Sequence, residues 1–417
     1  MRSPEEMNPE AVMENPAQSG RIALAEGPAE EAAVLYVSRN SDSAAFHTIQ
    51  DAVRHAEEHS GHPFVIQIAP GIYREHLVIR TRGLTLRGES AEDRAVSGSR
   101  KGMDGELSSG PAAGNEVRIT GSLGGYEILE DGIKRGTFRT QTVLIAADDV
   151  TLENLTIENA AGPGYLAGQA IALHAYADRL RFYRVRLLGQ QDTLFTGPLP
   201  EKEVEPGGFR GPTESFERRL CRMYFRECYV EGNIDFIFGG ACAWFEKCEI
   251  FCRDPHNPEQ THDSEQTHDP ELAQDSVQMH NPEQSRAPIA YVTAPSTPAG
   301  QPFGYVFNRC LLRSDCPPES CFLGRPWRED AKAVFLRCRI GGHIRKELWD
   351  DWGKEAAHTR SFFAGYDCVW TDGVRAGEAV DFHPSSGPAA SFSHSLSEEE
   401  AAFYTPENVL QIRERGI

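Results

Sequence analysis

The sequence predicts an all-β protein, a right-handed parallel β-helix with long loop insertions. Three observations carry that expectation. A six-residue pattern recurs from about residue 150: an aromatic residue or Leu, two variable residues, a small apolar residue, one variable residue, then Val, Ile or Leu. It reads Leu152–Ile157, Phe182–Leu187, Phe225–Val230, Phe245–Ile250, Phe307–Leu312 and Phe335–Ile340. The two closest copies begin 20 residues apart, and the longer intervals hold loop-like sequence. Short β-rich units of this period cannot bury their apolar residues alone, so they stack and like residues align in ladders. Almost no helix is expected through this region, and one solenoid replaces the two or three domains that length alone suggests.

Taken in order, residues 1–31 are rich in Glu, Pro and Ala and read as a disordered acidic tail. Ala32–Val37 reads as a first strand. Phe46, Ile49 and Val53 recur at helical spacing, so a short helix begins there. Strand patterns follow at Phe64–Ile68, His76–Ile79 and Leu84–Arg87, with a turn at Pro70-Gly71. Residues 89–115 are Gly-, Ser- and charge-rich and read as an exposed, flexible loop. Two more flexible loops, 197–219 and 253–287, interrupt the repeats, and the whole of 32–412 is expected to form a single domain. His256, His262, His268 and His280 fall in the last loop, where a flexible polar segment explains them better than a metal site does.

Composition narrows the function. The 417 residues are 40% hydrophobic and 25% charged, with a net charge of −20. Residues 1–31 contribute −5 and residues 253–287 contribute −6, so the folded body is only moderately acidic. That balance argues against nucleic acid as a partner and leaves an uncharged or partly charged polymer open. No apolar run approaches a membrane span. The first residues show no basic and apolar leader pattern, so a cytoplasmic location is expected, with non-standard export as the alternative. All 10 cysteines fall between Cys221 and Cys368 and read as free buried thiols. Cys228, Cys248, Cys310 and Cys338 share one repeat position and are expected to stack inside the coil. No Cys-x-x-Cys or His-Glu-x-x-His spacing is present, so a zinc site is not expected.

The candidate chemistry centres on Gly232–Gly239, an apolar run with one acid, Asp235, inside it. Gly189–Phe195 carries a second acid, Asp192, 43 residues earlier. Without the 197–219 loop, that interval is about one coil, which places the two carboxylates on neighbouring rungs, roughly 5 Å apart. Gln169 precedes Gln191 by 22 residues, again about one coil. Gln169, Gln191, Asp192 and Asp235 can therefore form one column, beside which Gln190 offers another amide. Leu323–Trp327 supplies a cation, Arg325, and an aromatic ring, Trp327. Two acids one rung apart repel, which structure alone explains poorly and acid–base chemistry exploits. The carboxylate beside Arg325 would stay ionised and its neighbour protonated, giving a nucleophile and an acid. Gln amides can donate to an oxyanion, and Trp327 can stack on a sugar ring.

At these motifs the chain resembles the pectin methylesterases (pectinesterases). Gly162-Pro163 ahead of Gln169 supports the likeness. Weaker similarity extends over Phe46–Val53, 69–73, Tyr291–Pro295 and 404–406, so that residues 32–412 are covered. The resemblance implies a pectin-lyase-like β-helix and a carbohydrate aspartyl esterase without metal or cofactor. The substrate would be pectin or methylated oligogalacturonides, the enzyme a monomer, and the role pectin catabolism and cell-wall modification. Position by position, it implies Asp235 as nucleophile, Asp192 as general acid and base, Gln169 and Gln191 on the oxyanion, and Arg325 orienting Asp235. Trp327 and Phe236 would meet the substrate. The 253–287 insertion departs from the family pattern. The competing readings are a polygalacturonase, a pectate lyase, or a non-catalytic carbohydrate-binding solenoid; the first two leave the in-line glutamines unexplained.

Overall fold

Apart from the first two, Ala33–Val37 and Phe64–Ile68, which pair in parallel across a helix, successive short strands do not pair with one another along the chain; each pairs with its equivalent one coil on. In the computed structural model this produces three parallel sheets of 11, 9 and 7 strands, a right-handed parallel β-helix. The structure describes residues 32–41, 44–59, 61, 63–89, 116–257, 288–382 and 392–411. The expected acidic tail, residues 90–115 of the first loop, and residues 258–287 of the third, with His262, His268 and His280, lie outside the described residues.

The repeat explains the coil. Its first position aligns Leu152, Phe182, Phe225, Phe245, Phe307 and Phe335 in register across the 11-stranded sheet. The five phenyl rings stack inside the coil at centroid spacings of 4.3 to 4.5 Å, close to the spacing between strands themselves. Its last position aligns Ile157, Leu187, Val230, Ile250, Leu312 and Ile340 across the 9-stranded sheet. Between the two sheets the chain must turn within one residue. The third residue of every copy takes a left-handed conformation, with φ from 51° to 54° at Asn154, Arg184, Glu227, Lys247, Arg309 and Arg337.

The small fourth position follows that turn and points inward. Cys228, Cys248, Cys310 and Cys338 occupy it as expected, and Cys368 extends the column. Each thiol donates to the carbonyl of the aromatic position one coil earlier, as in Cys228 to Phe182 at 3.4 Å and Cys338 to Phe307 at 3.4 Å. A cysteine there is both a small apolar filler and a weak donor for a buried carbonyl. All 10 cysteines are free.

Helices sit only at the periphery. The expected first helix runs from Ile49 to Glu58, capped by the Thr48 hydroxyl, and buries Ile49, Ala52, Val53 and Ala56. Near the C-terminus, Glu398–Phe403 and Pro406–Leu410 form two short helices. Val409 and Leu410 pack over Tyr224, Cys242 and Trp244, on the outer face of the 11-stranded sheet. The 197–219 segment folds against the 7-stranded sheet, burying Leu199, Phe209 and Thr213. Its Thr213 hydroxyl bonds the Nε2 atom of His174, which belongs to that sheet, at 3.0 Å.

Candidate functional site

The two acids sit at equivalent turns on adjacent coils. Asp192 and Asp235 each precede, by two residues, the paired positions Leu194 and Ile237. Both take left-handed backbone conformations, with φ of 66° and 52°, which Asp tolerates better than most residues. The turns are bonded directly to one another: the Asp192 N–H donates to the Ile234 carbonyl, and the Asn233 N–H to the Gln190 carbonyl, both at 3.0 Å. Gly232 makes this possible, because a β-carbon there would lie 2.6 Å from the Gln190 carbonyl oxygen. Both carboxyls line a cleft of about 290 Å³, yet only 7% and 8% of the two residues remains exposed.

Arg325 follows the strand Cys321–Gly324 and reaches back to Asp235 with two parallel bonds, Nε to Oδ1 at 2.8 Å and Nη2 to Oδ2 at 2.7 Å. Its guanidinium is sandwiched between the rings of Tyr291, at 3.9 Å, and Trp352, at 3.7 Å. A planar cation clamped between two rings keeps its fork aimed at one carboxylate. Burial pushes the Asp235 carboxyl up from the ordinary range, and the Arg325 bonds and charge pull it back. Asp192 lacks such a clamp. Burial, and then the charge of Asp235, hold it well above the usual carboxylate range. The two carboxyls are thereby driven apart: Asp192 is raised further than Asp235, whose charged form the Arg325 bonds favour.

The glutamines separate as well. Gln190 is buried, its Oε1 accepting from the Asn233 amide at 2.8 Å, so it forms a structural ladder. Gln191 and Gln169 both line the cleft. The one-coil spacing assumed between them is off by one residue, because Leu173 pairs with Leu194 and the Ala170 N–H donates to the Gln191 carbonyl. Gln169 therefore stands level with Gln190, and its side chain still reaches the cleft.

Trp327 lines the cleft, packed edge-on against Phe238 at 5.7 Å and Phe209 at 6.2 Å. Phe236 does not line it. The residue is fully buried inside the coil, because the left-handed turn at Asp235 sends the following side chain inward. Phe238, two residues on, faces the cleft in its place. Sequence reasoning also missed Phe138, Phe209, Arg328 and Trp352, all of which line the cleft. Tyr291 lay within a similarity segment; Trp352 lay in no recognised motif.

A parallel β-helix carrying two unequal carboxyls, an arginine clamp and two amides in one cleft is an arrangement capable of the chemistry of an ester hydrolase. The comparisons agree with that class. The Pectinesterase family model matches residues 35–117, 113–198 and 209–288, so the chain belongs to the pectinesterase family, a family of carboxylic ester hydrolases. Pectinesterase 31 of Arabidopsis thaliana is 26% identical over 324 residues, covering 77% of this chain and 78% of that protein. Pectinesterase 2 of Citrus sinensis is 26% identical over 325 residues, covering 76% of this chain and 48% of that protein, so the chain spans about half of that longer relative. Among solved structures, pectin methylesterase PemA from Erwinia chrysanthemi superposes with a TM-score of 0.60 at 25% identity, covering 91% and 96% of the two chains. Pectin methylesterase from carrot gives 0.61 at 21% identity, covering 93% and 95%, a likeness of fold.

The cytoplasmic location expected above does not stand. Relatives from Arabidopsis thaliana, Citrus sinensis and Solanum lycopersicum are plant pectinesterases, which act on cell-wall pectin outside the cell. The expectation rested on the first residues, which lie outside the described residues and carry no argument about location.

Proposed function

We propose that this chain hydrolyses the C6 methyl esters of galacturonate units in pectin, releasing methanol and pectate. The observation that carries the reading is the two-point Arg325–Asp235 pair set one rung from a second carboxyl, Asp192, which burial and the Asp235 charge push well above the usual carboxylate range. Asp235 attacks the ester carbonyl carbon, and the Gln169 and Gln191 amides donate to the oxyanion that forms. Collapse of that intermediate breaks the bond to methoxide, which takes the Asp192 proton and leaves as methanol. The Asp235 acyl-enzyme remains. Asp192, now ionised, removes a proton from water, which attacks the acyl carbon; Asp235 is released and Asp192 is again protonated. Arg325 keeps Asp235 ionised and oriented, and Trp327 and Phe238 flank the sugar.

On this reading residues 32–412 act as one β-helix domain, a monomer working on a polysaccharide without metal or cofactor, nucleic acid or membrane. Among the described residues no helix is long and apolar enough to cross a membrane. The test of reaction class is to incubate the protein with methylated pectin and measure methanol beside new reducing ends and unsaturated products. Methanol alone supports the ester reading; reducing ends or unsaturated ends without methanol would replace it with backbone cleavage.

A further inference from the structure

One carboxylate outside the cleft joins the two rings that hold Arg325. Residues 344–350 lie along the strand Cys321–Gly324 as the next rung. The Leu323 N–H donates to the Leu348 carbonyl at 2.8 Å, and the Asp350 N–H to the Gly324 carbonyl at 3.1 Å. Asp350 is thereby anchored beside Arg325, which follows Gly324. Its Oδ1 accepts from the Trp352 N–H at 2.7 Å and its Oδ2 from the Tyr291 hydroxyl at 3.4 Å. Trp352 and Tyr291 are the rings on the two faces of the Arg325 guanidinium, 3.7 and 3.9 Å from it. The Tyr291 arm is the longer and the weaker of the two.

The Trp352 ring is held there against a backbone cost. Trp352 has a left-handed conformation, with φ of 54°, which is unfavourable for so bulky a residue and persists only where its surroundings enforce it. Two side-chain-to-backbone turns enforce it: Asp350 accepts from the N–H two residues on, and Asp351 does the same with the Gly353 N–H at 2.9 Å. On the other face, burial and then the Asp350 charge push the Tyr291 hydroxyl up to about 12, so it stays a donor to that carboxylate. Burial pulls the Arg325 guanidinium down, and the Asp235 bond and charge, followed by Tyr291 and Asp350, more than restore it.

We propose that Asp350 is a positioning residue for the reaction: by tying Tyr291 and Trp352 together around the Arg325 guanidinium, it keeps the two-point fork aligned on Asp235. The proposal rests on the reading of Asp235 as the nucleophile of an ester hydrolysis. Asp350 does not line the cleft, so its effect passes through Arg325, as the partners of a ligating or reacting group commonly act through that group. The charges around Asp235 set the sign of that effect. Arg325 and Lys354 favour its ionised form, and Asp192 and Asp350 oppose it. Removing the Asp350 charge alone therefore favours the ionised nucleophile. Loosening the Arg325 fork disfavours it, and the fork is the larger influence of the two.

The test is the pH–rate profile of methanol release from methylated pectin, with kcat and KM, for the full chain as wild type, Asp350→Ala, Asp350→Asn and Tyr291→Phe. Asp350→Ala removes both arms; kcat should fall about tenfold with KM little changed, and the acid limb should move to higher pH. Asp350→Asn keeps an acceptor for the Trp352 N–H and a partner for the Tyr291 hydroxyl. Its kcat should stay within about threefold of the wild type, and its acid limb should stay in place or move to lower pH. Tyr291→Phe loses only the longer arm and should fall between the two. An acid limb in Asp350→Ala that stays where the wild type has it overturns the proposal, whatever the change in Tm. So does an Asn variant as impaired as the Ala variant, or a loss confined to KM. Acrylamide quenching of Trp352, read as the difference between each protein and its Trp352→Phe counterpart, follows the same ring without turnover. It should rise in Asp350→Ala and match the wild type in Asp350→Asn. A wild type that releases no methanol but shows that rise overturns the ester reading and supports the hold on Trp352; unchanged quenching in Asp350→Ala overturns the hold itself.

Discussion

Replacing Arg325 separates the electrostatic role of this residue from a merely structural one. Asp235 receives two bonds from it, at 2.8 and 2.7 Å, in a site almost closed to solvent. Hydrogen bonds to charged groups contribute about 1.5–3 kcal/mol each. Arg325→Lys keeps the charge but loses the fork, so a loss of about 2 kcal/mol, or roughly 30-fold in kcat/KM, is expected. Arg325→Ala leaves a buried carboxylate unpaired, at a cost of about 3–5 kcal/mol while it stays ionised. The carboxyl avoids that cost by taking up a proton, because both burial and the missing cation then raise its pKa. Since the nucleophile acts only when ionised, the acid limb of the methanol-release profile should move to higher pH in Arg325→Ala. Activity in the mildly acidic range should fall by about 100-fold or more. Initial rates of methanol release between pH 4 and 9 read both effects. An acid limb that stays where the wild type has it, at any overall activity, would refute the assignment of Arg325 as the group that keeps Asp235 charged.

Further predictions follow from the same geometry. Asp192 has its pKa raised in the fold, so the wild type should be fully stabilised below the unfolded value of about 4 and lose stability as pH rises toward the folded value. Asp192→Asn escapes that loss; it should match the wild-type Tm near pH 3.5 and exceed it by a growing margin toward pH 8, while methanol release falls about 1,000-fold. Thermal melts across pH check the first claim; a margin that shrinks with pH would contradict it. Gln191→Ala should lower kcat about 100-fold with little change in Tm, whereas Gln190→Ala, which strands the buried Asn233 amide, should cost about 1–3 kcal/mol of stability. Phe236→Ala should destabilise the fold by about 3–5 kcal/mol in denaturant titrations, whereas Phe238→Ala should act chiefly on KM for pectin.

The coil was legible because its signal is repetitive and local. The aromatic and small positions of the repeat recur with enough regularity to place the Phe and Cys ladders, and one-coil arithmetic brings Asp192 beside Asp235. Arg325 was legible because it lies in a compact motif with Trp327. The remainder depends on how turns aim side chains. Phe236 and Phe238 are indistinguishable as letters in an apolar run, and only the left-handed turn at Asp235 decides which points into the coil. Gln190 and Gln191 are likewise adjacent amides, told apart by the Asn233 partner on the next rung. Trp352 and Phe209 reach the cleft from segments far from the acids in sequence, where no periodic pattern points to a ligand. The C-terminal helices escaped notice because Val409 and Leu410 pack on the outside of a sheet, and the repeat pattern describes its inside.

The central claim, that Asp235 is the nucleophile, is tested most directly by Asp235→Asn, which preserves size and removes the charge. Methanol release from methylated pectin should fall by at least about 10,000-fold, while the melting profile and the binding of hexagalacturonate show a folded protein. Release within about tenfold of the wild type by that folded variant would contradict the account.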